Sequence, residues 1–169
     1  CAVRNDIDVP PLKLAPTHRW ISAGEATSDV QVLTAEEVID TKLTPQYASY
    51  WPHCVNGVTP QDVRKRTTGK DGCFTACRLD VAKPSPTLLS QEQHFFHWGE
   101  CRKLSYREWK RLGSFPDDYQ AKTDKIGKYM IGMSVPPKMT EQVARAVCEQ
   151  WLNVNYSELS NDNQAQNPH

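Results

Sequence analysis

Arg102-Lys103-Leu104-Ser105-Tyr106-Arg107-Glu108-Trp109-Lys110-Arg111-Leu112-Gly113 is the stretch on which the reading of the fold turns. Ser105 followed three residues later by Glu108 is a capping box. The hydroxyl takes a backbone N–H of the first turn, and the carboxylate reaches back to the N–H of the cap. Trp109 and Leu112 supply apolar positions, and Gly113 stands where such a helix stops. Beyond it, Phe115-Pro116-Asp117-Asp118-Tyr119 reads as a turn anchored by aromatics, and Ile131-Gly132-Met133-Ser134-Val135-Pro136-Pro137 as a short apolar turn. Thr140 then caps an amphipathic helix to about Val154, with Val143, Ala144, Val147, Cys148 and Trp151 on one stripe. On its own terms that stripe is core packing.

Toward the N-terminus no long element is expected. Thr34-Ala35-Glu36-Glu37 is another capping box, opening a helix to about Asp40. Thr44-Pro45 and Thr59-Pro60 each set a cap before a proline suited to the first helical position, the second helix running through Arg66. Thr67 to Gly72 is turn chemistry, whereas Cys73 to Leu79 and Thr87-Leu88-Leu89 read as strands. Cys1-Ala2-Val3 reads as the tail of a strand, and Arg4 to His18, with three prolines, as an extended connector. The Asn/Gln/Ser-rich tail 157–169 is expected to be disordered. The fold class is α+β and loop-rich.

The 169 residues carry 20 Lys+Arg and 20 Asp+Glu, with a mean hydropathy of −0.64. No run approaches the roughly 18 apolar residues of a membrane helix. Cys1 to Asp8 lacks a basic segment followed by an apolar one, so no secretory signal is read there, and a cytoplasmic location is expected. Charge is uneven: fourteen basic and nine acidic residues lie between Pro60 and Met130, leaving the middle net positive and the flanks net negative. A basic middle can attract a polyanion, or it can be an ordinary solvated face.

Six cysteines in a chain without a secretory signal point to free thiols rather than a disulfide framework. Cys73, Cys77, His94, His97 and Cys101 are zinc-type ligands, but their gaps do not fit a standard finger. His94 and His97 also bracket Phe95-Phe96, a pair expected to be buried. No metal is assigned. Nor is there a phosphate loop, an H-E-x-x-H motif or a defensible nucleophile set, and Asp117-Asp118 fits a turn better than a catalytic dyad.

Arg102-Lys103-Leu104-Ser105, Glu108, Arg111-Leu112 and Phe115-Pro116-Asp117 resemble the ninth conserved block of DNA cytosine-5 methyltransferases. Ile131 to Pro137 and the following helix resemble the tenth block. Arg78-Leu79-Asp80 through Thr87-Leu88 resembles the end of the target-recognition region, and Val3-Arg4-Asn5-Asp6 the exit from the eighth block. The order agrees across nearly the whole chain. Met133 stands where the family usually has Asn, and Gly113 where it usually has Gln.

The resemblance implies transfer of a methyl group from S-adenosylmethionine to C5 of a flipped cytosine in double-stranded DNA, in a bacterial or phage-like restriction–modification setting. A thiolate adds to C6 and a glutamate assists at N3. The Pro-Cys motif that supplies the thiolate, the Glu-Asn-Val block and the Gly-rich cofactor loop are not in this sequence. The chain is therefore expected to be the C-terminal portion of such an enzyme, working with a catalytic half in the same longer chain or a separate subunit. Residues 1–18 would leave the catalytic domain, 19–100 recognise DNA, and 101–156 return to complete a Rossmann-like domain. Thr87 and Leu88 would lie near the flipped nucleotide, Arg78 would read a base or hold a phosphate, and Arg64, Lys65 and Arg66 would form a phosphate patch. Gly132, Met133, Ser134 and Val135 would close the S-adenosylmethionine pocket, and Arg102, Glu108 and Arg111 would organise the recognition domain in buried or semi-buried pairs. A solitary DNA-binding module and a zinc-stapled interaction domain are the alternatives. No catalytic residue is expected within the chain.

Overall fold

The computed structural model describes residues 9–15, 19–30, 32–55, 57–73, 76–90 and 95–152. Two units are distinguished, residues 20–136 and a second formed by 1–19 with 137–169. The expected strand tail at 1–3, the eighth-block exit at 3–6 and the polar tail at 157–169 lie outside the described residues.

The first unit is α+β. It contains α1 (Ala23–Ala26), α2 (Ala35–Asp40), α3 (Pro45–Tyr50) with a 3-10 turn over Trp51–His53, α4 (Pro60–Thr68), β1 (Cys77–Arg78), β2 (Phe95–Phe96), α5 (Tyr106–Leu112) and α6 (Asp124–Met133). The caps are as the sequence reads them: Thr34, Thr59 and Ser105 each close a reciprocal box, and Pro45 and Pro60 enter their helices in the first turn. α4 runs to Thr68, two residues beyond the expected end at Arg66, because Gly69 supplies the left-handed cap at φ 69°.

Two strand readings are corrected. Among the described residues of 73–79 only Cys77–Arg78 are strand, paired parallel to Phe95–Phe96, and Thr87–Leu89 joins no sheet. The backbone pairing is spread over short pieces. Leu79 N–H donates to the Phe96 carbonyl, Leu104 N–H to Phe95 and Lys103 N–H to Thr41, and single antiparallel bridges join Lys42 to Arg102 and Phe96 to Lys103. This patch carries the core. Phe95 stacks on Trp109 at 5.4 Å and packs with Leu79, Leu104, Tyr106 and Ile131, while Phe96 packs with Leu43 and Ala76.

The largest correction is α6. The segment 131–137 is not a turn: a helix capped by Thr123 runs through Ile131 and Gly132 and ends at Ser134. It lies on α5 because Gly127 has no side chain; a Cβ there would sit 2.4 Å from Tyr106 Cζ. Gly127 and Ile131 are buried, yet Ile126, Tyr129, Met130 and Met133, at i, i+3, i+4 and i+7, are exposed. The helix is apolar on both faces.

In the second unit α7 (Pro137–Trp151) begins three residues before the expected Thr140. Gln150 pairs with the backbone of Lys13 in both directions, at 2.9 and 2.8 Å, and Trp151 Nε1 donates to the Pro10 carbonyl. The connector is thus tied to the end of α7. No residue of α7 is fully buried; of its apolar stripe Val143, Val147, Cys148 and Trp151 are half-buried and Ala144 is exposed. No helix among the described residues is long and apolar enough to cross a membrane.

Candidate nucleic-acid interface

The first turn of α5 builds the best-ordered polar cluster in the chain. Glu108, 1% exposed, accepts two parallel hydrogen bonds from the Arg102 guanidinium at 2.8 Å each and one from Ser105 N–H at 2.7 Å. Ser105 Oγ accepts from Glu108 N–H in return. Arg102 also reaches Glu100 at 2.7 Å. Burial works against the Arg102 charge, but the hydrogen bonds to Glu108 and Glu100 outweigh it and raise its pKa above the ordinary value. His97 faces the same carboxylate at 3.7 Å, while its Nδ1 accepts the N–H groups of Gly99 and Glu100. Burial first, then the Arg102 charge, pushes its pKa down, so it is neutral at pH 7.

Arg102 and Glu108 are thus brought together, and Arg111 is not part of that pair. Its guanidinium bridges Asp29 and Asp117 at 2.5 and 2.6 Å, on a half-exposed surface. Sequence reasoning missed Arg107. It clamps Glu37 through two hydrogen bonds of 2.8 Å and donates to the Val32 carbonyl, tying α5 to α2. The Arg107 hydrogen bond is the main cause of the lowered Glu37 pKa. A partner seventy residues away leaves no local signal.

The basic residues divide by role. Lys65 and Arg66 on α4 are exposed, Lys65 lying 3.5 Å from Asp71. Arg64 is half-buried under Gly72, its Nε without a hydrogen-bond partner. Arg78 lies over the Trp51 ring at 3.9 Å and donates from Nε and Nη2 to the Trp98 carbonyl. Its guanidinium fastens β1 to the loop after β2, a structural use that any contact with DNA would have to share.

Thr87 is exposed, while Leu88 is half-buried against the core cluster of Trp109 and Ile131. The segment then crosses α6 at Gly132, where a Cβ would lie 2.2 Å from the Leu89 carbonyl carbon and 2.5 Å from Ser90 N. Gly113 also touches this region: a Cβ there would be 2.9 Å from Ile131 Cγ2 and 3.4 Å from Leu88 Cδ1, so the glutamine usual in the family would not fit without a shift. Met133, Ser134 and Val135 are exposed at the end of α6, and Ser134 Oγ donates to the Met130 carbonyl at 2.7 Å.

Among the described residues no three His, Cys, Asp or Glu side chains converge as a metal site; His94 lies outside them. Burial raises the Cys54 and Cys77 thiols to about 11, so both are protonated at pH 7 and neither is a thiolate nucleophile.

The family model "C-5 cytosine-specific DNA methylase" matches residues 17–149. Type II methyltransferase M.BbvI of Brevibacillus brevis is 28% identical over 94% of this chain and 45% of its own length. Type II methyltransferase M.AquIB of Picosynechococcus sp. is 37% identical over 46% of this chain and 65% of its own. Type II methyltransferase M1.HphI of Haemophilus parahaemolyticus is 35% identical over 41% of this chain and 19% of its own. The chain thus spans less than half of M.BbvI and under two-thirds of M.AquIB. No solved structure matches. With a model match across most of its length, including the Arg102–Glu108 cluster and α6, the chain belongs to the C-5 cytosine-specific DNA methylase family.

Proposed function

We propose that these residues are the DNA-recognition and donor-pocket-closing portion of a DNA cytosine-5 methyltransferase whose catalytic thiol lies in polypeptide outside them. The observation that carries this reading is the family match over 17–149 in a sequence without a Pro-Cys motif. M.AquIB supports it. Its 90 matched residues are 65% of it, which makes a chain of about 140 residues that bears a methyltransferase name and is shorter than this one. The exposed apolar stripe of α6, Ile126, Tyr129, Met130 and Met133, supports it too: such a stripe calls for a covering surface, and the catalytic half is the occupant that supplies it.

In this reading Lys65 and Arg66 hold phosphates, while Thr87 and Leu88 sit near the extruded base. S-adenosylmethionine supplies the methyl group. Gly132 to Val135 wall one side of its site: Met133 and Val135 offer exposed apolar surface for it, and the remaining walls belong to the catalytic half. Arg102 and Glu108 fix the base of α5 beneath the recognition segment.

The test uses the full chain with a mixed-sequence 40-base-pair duplex and labelled S-adenosylmethionine. The chain should bind the duplex with an affinity that falls steeply with salt, and should transfer no methyl group alone. Absence of duplex binding in 50 mM salt sinks the recognition role, and transfer by the chain alone sinks the placement of the thiol elsewhere.

A further inference from the structure

The segment proposed to meet the flipped nucleotide is not anchored by a sheet. Pro84 and Pro86 force it extended, and it leaves the core pairing after Leu79. Its start is held by α1, where Ala23 N–H donates to the Lys83 carbonyl and Gly24 N–H to that of Val81, and two contacts position its far end. Leu88 leans on the core cluster, and the backbone of Leu89 and Ser90 lies directly on the helical backbone of α6 at Gly132. At that crossing a Cβ would fall within 2.2–2.5 Å of the Leu89 carbonyl carbon, its oxygen and Ser90 N. All three are backbone atoms, so no rotamer change can make room. One turn earlier Gly127 makes an equally close approach, but to the Tyr106 ring on α5. The two glycines of one helix therefore do different things: Gly127 sets α6 on α5, and Gly132 sets the recognition segment on α6.

We infer that Gly132 is a positioning residue for DNA sequence discrimination: it is the seat on which the backbone of Leu89 and Ser90 rests, and that seat fixes where Thr87 and Leu88 point. This inference rests on the proposed function and goes beyond it. The glycine placed in the wall of the donor pocket acts on the other substrate as well. The end of α6 then carries two tasks in adjacent residues. Gly132 holds the recognition segment on one side, and Met133 and Val135 expose apolar surface for the donor site. A shift of the segment by the width of a methyl group moves Thr87 relative to the duplex while leaving Lys65 and Arg66, on α4, where they were. Discrimination should fall and general affinity should not.

The experiment selects binding sequences from a 40-base-pair duplex library with a random centre, using the full chain and the variants Gly132→Ala, Gly127→Ala and Leu89→Gly, alongside thermal unfolding of each. The wild-type chain should enrich a defined sequence. Gly132→Ala should lose at least tenfold of that enrichment while binding unselected duplex as before. Gly127→Ala, a comparably crowded change in the same helix, should lower the unfolding temperature but keep the enriched sequence. Leu89→Gly slackens the seat from the other side without introducing a clash. It should lose discrimination too, and it decides the matter if Gly132→Ala does not fold. Unchanged enrichment in Gly132→Ala or Leu89→Gly overturns the inference. So does equal loss in Gly127→Ala and Gly132→Ala at equal loss of stability, which would make the role structural only. If the wild-type chain enriches nothing, the recognition reading itself fails and takes the inference with it.

Discussion

Replacing Glu108 by Ala tests whether the α5 cluster holds the first unit together. The carboxylate is 1% exposed and satisfies two Arg102 N–H groups and Ser105 N–H. Its removal leaves Arg102, 8% exposed, with only Glu100 as a charged partner, and deprives the cap of its reciprocal bond. Breaking one side of a buried pair costs about 3–5 kcal/mol, because the partner's charge stays buried and uncompensated. Against a domain stability of about 5–15 kcal/mol that is a large share. At a urea dependence of roughly 2 kcal/mol per M the midpoint should fall by about 2 M. Arg102→Met should cost a similar amount. The double variant should cost no more than either single one, since the second change removes the stranded group. Urea titration followed by the fluorescence of buried Trp109 measures all three. A loss below about 1 kcal/mol for Glu108→Ala, or simple additivity in the double variant, refutes the view that the pair is a buried, mutually dependent unit.

Four further outcomes follow from the structure. Because burial lowers the His97 pKa below its ordinary 6.5, the unfolded chain binds the proton more readily, so stability is full above pH 6.5 and falls as pH drops through the window below it; in His97→Gln that part of the acid loss should vanish, leaving the carboxylate losses below pH 4.5, where Glu37 and Glu100 lose their lowered-pKa advantage. Arg66→Ala should weaken binding to all duplexes about equally and reduce the salt slope by about 0.9, whereas Arg78→Lys should lower the thermal midpoint, because an ammonium cannot stack on Trp51 while donating twice to the Trp98 carbonyl; a sequence-dependent effect of Arg66→Ala, or an unchanged midpoint in Arg78→Lys, contradicts these roles. Exposed Cys101 should react with a thiol reagent at pH 8 in the native chain, while Cys54 and Cys77, with thiols near 11, should react only on unfolding, and mass mapping of the labelled peptides distinguishes them.

What could be read along the chain was what local chemistry writes. The boxes at Thr34 and Ser105 need only residues three apart and form as read, while Thr59, read as a cap before Pro60, also closes a box with Asp62. The Arg102–Glu108 pair was legible because the two residues are six apart and the family resemblance named them. The short pairings of β1, β2, Lys42 and Lys103 were not. Two-residue strands have no alternation to detect, and their partners are fixed by tertiary packing. α6 was hidden for a different reason. Gly127 and Ile131 turn inward while Ile126, Tyr129, Met130 and Met133, at helical spacing, are exposed, so the apolar stripe that periodicity marks is not the one the core buries. Two internal glycines further lowered its propensity. The same glycines are what let α5 and the Leu89–Ser90 backbone come close, so the feature that disguised the helix is the one that places it.

The three stretches that carry the family resemblance within the first unit are far apart in sequence and meet in space. Leu88, from the recognition segment, approaches Gly113 at the end of α5; Gly113 approaches Ile131 on α6; Gly132, the next residue, lies against Leu89. The contacts form a closed circuit, and two of its five stations are glycines at distances no side chain could occupy without displacing a neighbour. A circuit of this kind constrains each member by the other two. Adding a Cβ at Gly132 pushes the recognition segment, which pushes Leu88 toward α5, where Gly113 leaves just enough room. The spacing of the blocks along the chain is therefore the linear trace of one packed junction. In the proposed reading Thr87, exposed beside the circuit, meets DNA while the circuit holds its position, with backbone against backbone at Gly132 and the side chains of Leu88 and Ile131 against Gly113.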